Sequence, residues 1–240
     1  MYLGAALFTG LVFVGMTIGG VGVGLIEPTF TSDVIANLLF GIPAILIPLV
    51  LLWDVPGEHR MREEKAAELT LFYLPYTAFS QICCELVFLI GHPLGVVDPP
   101  HHDPGVKWLW WQYGLADTRY ASGNPWTFAL EVVGGVSTGI VVIIMWTRLV
   151  RQSLPIEKRI RSLWVAFAGI AILMSSTAVY FISEVGAGFN DIGQGAFGLW
   201  FKFIGENIPP FIVMPAMVLY AIHIQIDYLT RKVAVSGSGR

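Results

Sequence analysis

Four glutamates occupy positions where a charge is costly. Glu85, Glu131, Glu184 and Glu206 each fall within, or at the edge of, a long apolar run. An ionisable side chain at such a place marks a functional site by default. Glu85 lies six residues before the end of the run 69–91, which is about 9 Å deep at the helical rise. Glu131 lies five residues inside the run 126–147, Glu184 closes the run 162–184, and Glu206 with Asn207 opens the run 203–227. Gln81 and Glu85, Thr127 and Glu131, and Tyr180 and Glu184 are each four apart and so share a helix face. Two carboxyls facing each other in an apolar site do not both ionise. The one that keeps its proton can protonate an alkene or an epoxide.

The remaining polar signals do not combine into a second chemistry. His101-His102-Asp103 has no further His or Cys nearby and reads as solvated loop, so no metal is expected. Cys83 and Cys84 are adjacent and cannot staple distant segments. No glycine loop resembles a phosphate cradle, and Gly19, Gly20, Gly22 and Gly24 fit close helix packing. His223 and Asp227 read as interfacial. No cofactor is expected.

The elements that must position the acids follow from composition. Of the 240 residues 55% are hydrophobic and only 13% charged, with mean hydropathy +0.68 and net charge -3. This excludes a soluble enzyme, a disordered chain and a nucleic-acid binder. Residues 1–26 lack any charge or His, enough to span a bilayer. No basic residue precedes them, so a retained helix is read in preference to a signal peptide. Val34–Trp53, Leu69–Gly91, Trp126–Thr147, Ser162–Glu184 and Phe203–Asp227 follow as further spans. The expected fold is an all-α integral membrane protein, a bundle of six transmembrane helices. Eleven of the fourteen basic residues fall on one side of this arrangement, leaving Lys107, Arg119 and Lys202 on the other. The positive-inside rule then places both the N and C termini in the cytoplasm.

Residues 1–68 are read as two N-terminal spans with a cytoplasmic loop, 69–232 as a four-helix catalytic bundle, and 233–240 as a flexible tail or added linker. Residues 92–125 form a polar external cap bordered by tryptophans, with Trp53 and Trp146 also at interfaces. Pro209, Pro210 and Pro215 make the start of the last span irregular, which is tolerated at membrane depth where backbone lines a cavity.

Three blocks carry a family resemblance. The first is Trp111-Gln112-Tyr113-Gly114-Leu115-Ala116-Asp117-Thr118-Arg119-Tyr120, then Gly123-Asn124 and Glu131. The second is Val179-Tyr180-Phe181-Ile182-Ser183-Glu184 with Gly188-Phe189. The third is Trp200-Phe201-Lys202-Phe203 with Asn207, Met214 and Pro215; Glu85, with Phe79 six residues before it, is a fourth match. In order and spacing these resemble the emopamil-binding protein, or EXPERA-domain, family over roughly residues 70–230.

That family includes the sterol Δ8–Δ7 isomerase, the sigma-two receptor and fungal terpenoid cyclases of the endoplasmic reticulum. The resemblance implies a lipophilic substrate entering from membrane lipid, protonated to a carbocation without net redox. It implies catalytic roles for Glu85, Glu131 and Asn207. Gln81, Tyr180, Glu184, Thr127, Phe88, Trp200 and Phe203 would contact substrate, and Asp117, Arg119 and Tyr120 would form a structural signature at the cavity mouth. A homodimer stays open. Where the isomerase has a His this chain has Gln81, which cannot shuttle a proton. Where it has a Trp this chain has Pro210, which offers a cation no ring face. Cyclisation or isomerisation of a sterol-like or terpenoid substrate is therefore expected. A sterol Δ8–Δ7 isomerase and a non-catalytic sterol- or lipid-binding protein are the alternatives.

Overall fold

The computed structural model describes residues 25, 27, 29–52, 57, 59–95, 107–151 and 153–237. The expected span 1–26 falls almost wholly outside them, as does His101-His102-Asp103. Among the described residues the chain is helical, with a single antiparallel bridge between Asp117 and Ile192. Helix α1 is Phe30–Leu52, α2 runs Arg62–Gly91, and two short helices follow, α3 Lys107–Ala116 and α4 Thr118–Ala121. Then come α5 Pro125–Leu149, α6 Ile156–Gly186 and α7 Phe197–Ser236. Four of these, α2, α5, α6 and α7, are long and apolar enough to cross a membrane. Their outward faces expose Ile140, Ile144, Trp164, Ile172 and Ile182, an exterior suited to lipid.

Two expectations need correction. The last helix continues to Ser236, so the expected flexible tail is helical from 233 to 236; Asp227 and Arg231, four apart, pair at 2.5 Å on its exposed face. The second span begins earlier than expected and takes in Asp33, a charge that an inward partner makes tolerable. The segment expected as a polar cap holds α3 and α4.

Local chemistry explains the helix boundaries. Glu64 accepts from the Met61 amide at 2.8 Å at the start of α2. Asn124 caps α5 by accepting from the Trp126 amide at 2.9 Å, with Pro125 in the first turn. Gly188 and Phe189 have positive φ, which ends α6.

Two prolines inside membrane-length helices leave carbonyls short of a donor, and neighbouring helices supply one. Pro75 cannot bond the Leu71 carbonyl, and Trp146 Nε1 of α5 donates to it at 3.1 Å. In α7 the bonds run five residues back, Met214 N–H reaching Pro209 O. Pro215 has no N–H to give Pro210 O, and the Tyr73 hydroxyl donates there instead at 2.7 Å.

The long helices form a ring in which α2 packs on α5, α5 on α6, α6 on α7 and α7 on α2, with α1 outside against α2 and α7. One end is filled by aliphatic and aromatic side chains including Leu69, Phe72, Tyr73, Val142, Leu163, Ile170, Val218 and Ile222. The other holds a smaller cluster built on Phe88, Tyr120, Tyr180 and Phe203. The bundle does not close between these two clusters.

Candidate functional site

A cavity of about 260 Å³ opens there, bounded by α1, α2, α5, α6, α7 and the cap helices α3 and α4. Leu38, Ile42, Ile45, Leu130, Leu173 and Phe211 give it apolar walls, and Gln81, Glu85, Glu131, Tyr113, Tyr120, Glu206 and Asn207 give it polar groups. This composition is that of a small-molecule site, apolar with a few convergent polar groups.

Both central acids stand on helical irregularities. Glu85 ends a π-helical stretch, Ser80–Glu85, inside α2, and Glu131 begins another, Glu131–Val136, inside α5. Such bulges recur at functional sites because they re-aim side chains. The two stretches pack on each other. Gly135 makes the approach possible: a Cβ there would stand 2.8 Å from Glu131 Oε2, 3.0 Å from Gln81 Oε1 and 3.3 Å from Glu85 Cγ. Gln81, Glu85 and Glu131 therefore converge over a single glycine. The two carboxyls lie within hydrogen-bonding reach of each other.

The acids differ in their partners. Tyr120 donates its hydroxyl hydrogen to Glu131 Oε1. Burial first, and then Glu131, push the Tyr120 phenol above its ordinary range, so it stays a neutral donor. Glu131 is thereby held as an acceptor. Glu85 keeps one buried oxygen, Oε2, without a hydrogen-bond partner.

A second polar group lines the cavity from α7. Asn207 Nδ2 donates to the Tyr113 hydroxyl at 2.8 Å and to the Phe203 carbonyl at 2.9 Å. Tyr113 in turn lies 3.2 Å from the Tyr180 hydroxyl, and Tyr180 donates to Asp117 Oδ2. Because Tyr180 gives its hydrogen to Asp117, Tyr113 is the donor between the two phenols. Beside this chain sits Glu206, with Lys202 and Asp33 forming a buried ion pair at 2.5 Å. Lys202 also donates to the Gln112 carbonyl at 2.8 Å.

The cap is locked by an ionic knot. Asp117 caps α4 by accepting from the Arg119 amide at 3.0 Å, and its carboxylate holds Arg119 Nη2 at 2.6 Å. Arg119 also pairs with Glu184 at 3.3 Å, donates to Ser183 Oγ at 3.0 Å, and lies 4.2 Å above the Tyr180 ring. Thr118 N–H to Asp191 O and Gly193 N–H to Ala116 O, each 2.9 Å, fasten the cap to the loop after α6.

Of the residues singled out from sequence, Glu85, Glu131, Gln81, Tyr180 and Asn207 line the cavity together. Five expected substrate contacts do not. Trp200 is 64% exposed and points away from the bundle interior, because the π-helical phase of its segment turns Phe201 to the cavity instead. Phe88 and Phe203 are buried in the aromatic cluster behind the wall, and Thr127 is buried outside the lining set. Glu184 is fully buried and belongs to the Arg119 knot. Asp117 and Arg119 pair with each other in the cap, whereas Tyr120 both buttresses the cap and touches an acid.

The sequence reading missed Tyr113 as a lining residue, although it stands in the first resemblance block. It placed Lys202 among the external charges, whereas Lys202 is 1% exposed. The signal available was Asp33, an acid just before an uncharged run that calls for a basic partner. No family model, curated protein or solved structure matches the chain.

Proposed function

We propose that the chain is a membrane-embedded isomerase or cyclase acting on a sterol-like or terpenoid substrate through an acid-initiated carbocation, cyclisation favoured. The observation that carries the reading is the Glu85–Glu131 pair over Gly135, set at a cavity with apolar walls. Tyr120 fixes Glu131 as an acceptor, so Glu85 carries the proton. Glu85 Oε–H gives its proton to an alkene carbon; the O–H bond breaks, a C–H bond forms, and the adjacent carbon becomes cationic. Ring closure or migration moves the positive charge. A C–H bond of the substrate then breaks, its electrons form a new alkene, and the Glu131 carboxylate takes the proton. Direct contact between the two carboxyls returns that proton to Glu85, so no oxidant or reductant is consumed.

The rings of Tyr120, Tyr180 and Phe211 beside the cavity support this reading, because aromatic faces favour a nearby cation. In this proposal the chain crosses the endoplasmic reticulum membrane six times, with both termini cytoplasmic and the acids nearer the lumenal face. The charge distribution supports it.

The test is product analysis by mass spectrometry on membranes fed a Δ8 sterol and, separately, prenylated or epoxidised terpenoids. A product of unchanged mass and altered retention is expected from the natural sequence and from neither Glu85→Gln nor Glu131→Gln. Full turnover by both variants overturns the mechanism. Saturable binding with no product from any substrate favours a lipid-binding protein.

A further inference from the structure

We propose that Glu206 is the acceptor for the hydroxyl head of the substrate, so that the cavity takes a polycyclic or isoprenoid alcohol and not its hydrocarbon or ether. The inference rests on the cavity being the site proposed above, and it names the class of molecule that fills it.

Glu206 sits in the turn between the two π-helical stretches of α7 and lines the cavity next to Asn207. Its Oε1 is buried and has no hydrogen-bond partner in the protein. A buried acceptor left unmet at membrane depth is costly, and ordinarily a side chain, a backbone donor or a ligand meets it. Lys202, a nearby cation among the described residues, does not do so, because it directs its ammonium to Asp33 and to the Gln112 carbonyl. Nor does Asn207, whose amide hydrogens go to Tyr113 and to backbone carbonyls. Glu206 lines the cavity, so a donor on a molecule bound there is the partner left for this oxygen.

The surroundings select the donor. An anionic head meets Glu206 itself and Asp33 behind it. A cationic head meets Lys202, which acts electrostatically on Glu206. A neutral hydroxyl donates one hydrogen bond and brings no charge. The cavity that Glu206 lines has Ile42, Ile45, Phe201 and Phe211 among its walls, so the body behind the hydroxyl is hydrocarbon. One end of the molecule is thereby fixed at Glu206, leaving its alkene to reach Glu85.

The test is binding by the full chain in lipid nanodiscs, measured by titration calorimetry with two probe pairs. These are a Δ8 sterol and its 3-methyl ether, and geranylgeraniol and its methyl ether. The natural sequence binds the alcohol of at least one pair about tenfold more tightly than the ether. Glu206→Leu brings that ratio to about one, and Glu206→Gln, which keeps shape and one acceptor oxygen, lowers it about threefold. Overturning results are a ratio near one in both pairs, absence of binding by all four probes, or a ratio unchanged in Glu206→Gln. The last decides the matter even if Glu206→Leu fails to fold. Turnover by Glu85→Gln bears on the carbocation reading alone, and the alcohol-to-ether ratio bears on the head group alone.

Discussion

Tyr120, on the short cap helix α4, donates its hydroxyl hydrogen to Glu131 on the membrane-length helix α5. The cap and the acid pair are therefore one unit. Tyr120 is itself held between the Phe88 and Tyr113 rings, each with its centroid 5.0 Å away, and this fixes the direction of the hydrogen bond. Tyr120→Phe keeps those ring contacts and removes only the donor. Turnover is expected to fall by about 10²-fold, the scale of a lost charge-stabilising hydrogen bond in an active site, with thermal stability changed little. Glu131→Asp, which keeps a carboxylate and residual turnover, and the double variant test the coupling: the two losses are expected to be far from additive. Independent, multiplying losses refute the assignment.

Gly135→Ala probes the convergence of the acids with no change in charge. The new methyl would meet Glu131 Oε2 at 2.8 Å and Gln81 Oε1 at 3.0 Å, so at least one of them must move. A misplacement of about 1 Å at reacting groups costs on the order of 10²-fold in rate. The expected result is a folded protein, by size-exclusion profile and helical circular dichroism, with turnover reduced to that extent. Full activity in Gly135→Ala means that the Glu85–Glu131–Gln81 cluster is not where the chemistry occurs.

Arg119 is the hub of the cap, and its removal is expected to act on stability before activity. It pairs with both Asp117 and Glu184, which are 1% and 0% exposed. Arg119→Leu leaves both carboxylates buried without their cation, a loss of about 3–5 kcal/mol where one partner of a buried pair is removed. Arg119→Lys restores a charge but not the fork that grips Asp117 through Nε and Nη2, so it recovers only part of the loss. Thermal unfolding in detergent micelles gives the order natural sequence, Arg119→Lys, Arg119→Leu. Equal stability of all three would remove the knot from any structural role.

The long apolar runs were legible because a bilayer imposes length and hydropathy on each helix separately, and all four candidate membrane helices coincide with expected spans. Glu85, Glu131 and Asn207 were legible for the same reason, since charge or amide inside such a run has few bland explanations. What sequence could not give was phase. The π-helical stretches at Ser80–Glu85, Glu131–Val136 and Phe197–Gly205 each shift the helix face by a fraction of a turn. The resemblance therefore put Trp200 against the substrate and passed over Phe201. Thr127, four residues before Glu131, is buried outside the cavity lining, which a shared face could not foretell. Nor could sequence pair Asp33 with Lys202, because that contact joins helices 169 residues apart and each charge, taken alone, reads as interfacial.

Trp146 illustrates the same point in a form that can be measured. Its position at the end of a span reads as an interfacial anchor, yet its indole N–H serves the Leu71 carbonyl that Pro75 leaves without a backbone donor. Trp146→Phe keeps most of the ring packing and withdraws the donor, so a loss of about 1–3 kcal/mol is expected from the unmet carbonyl. Pro75→Ala restores a backbone N–H four residues after Leu71, which can bond that carbonyl directly. In the Pro75→Ala background Trp146→Phe should therefore cost appreciably less. Thermal unfolding of the four proteins of this cycle reads the coupling between the two helices, α2 and α5, that carry Glu85 and Glu131. If Trp146→Phe costs the same with and without Pro75, the indole acts only as an apolar anchor and the helix pair is aligned by packing alone.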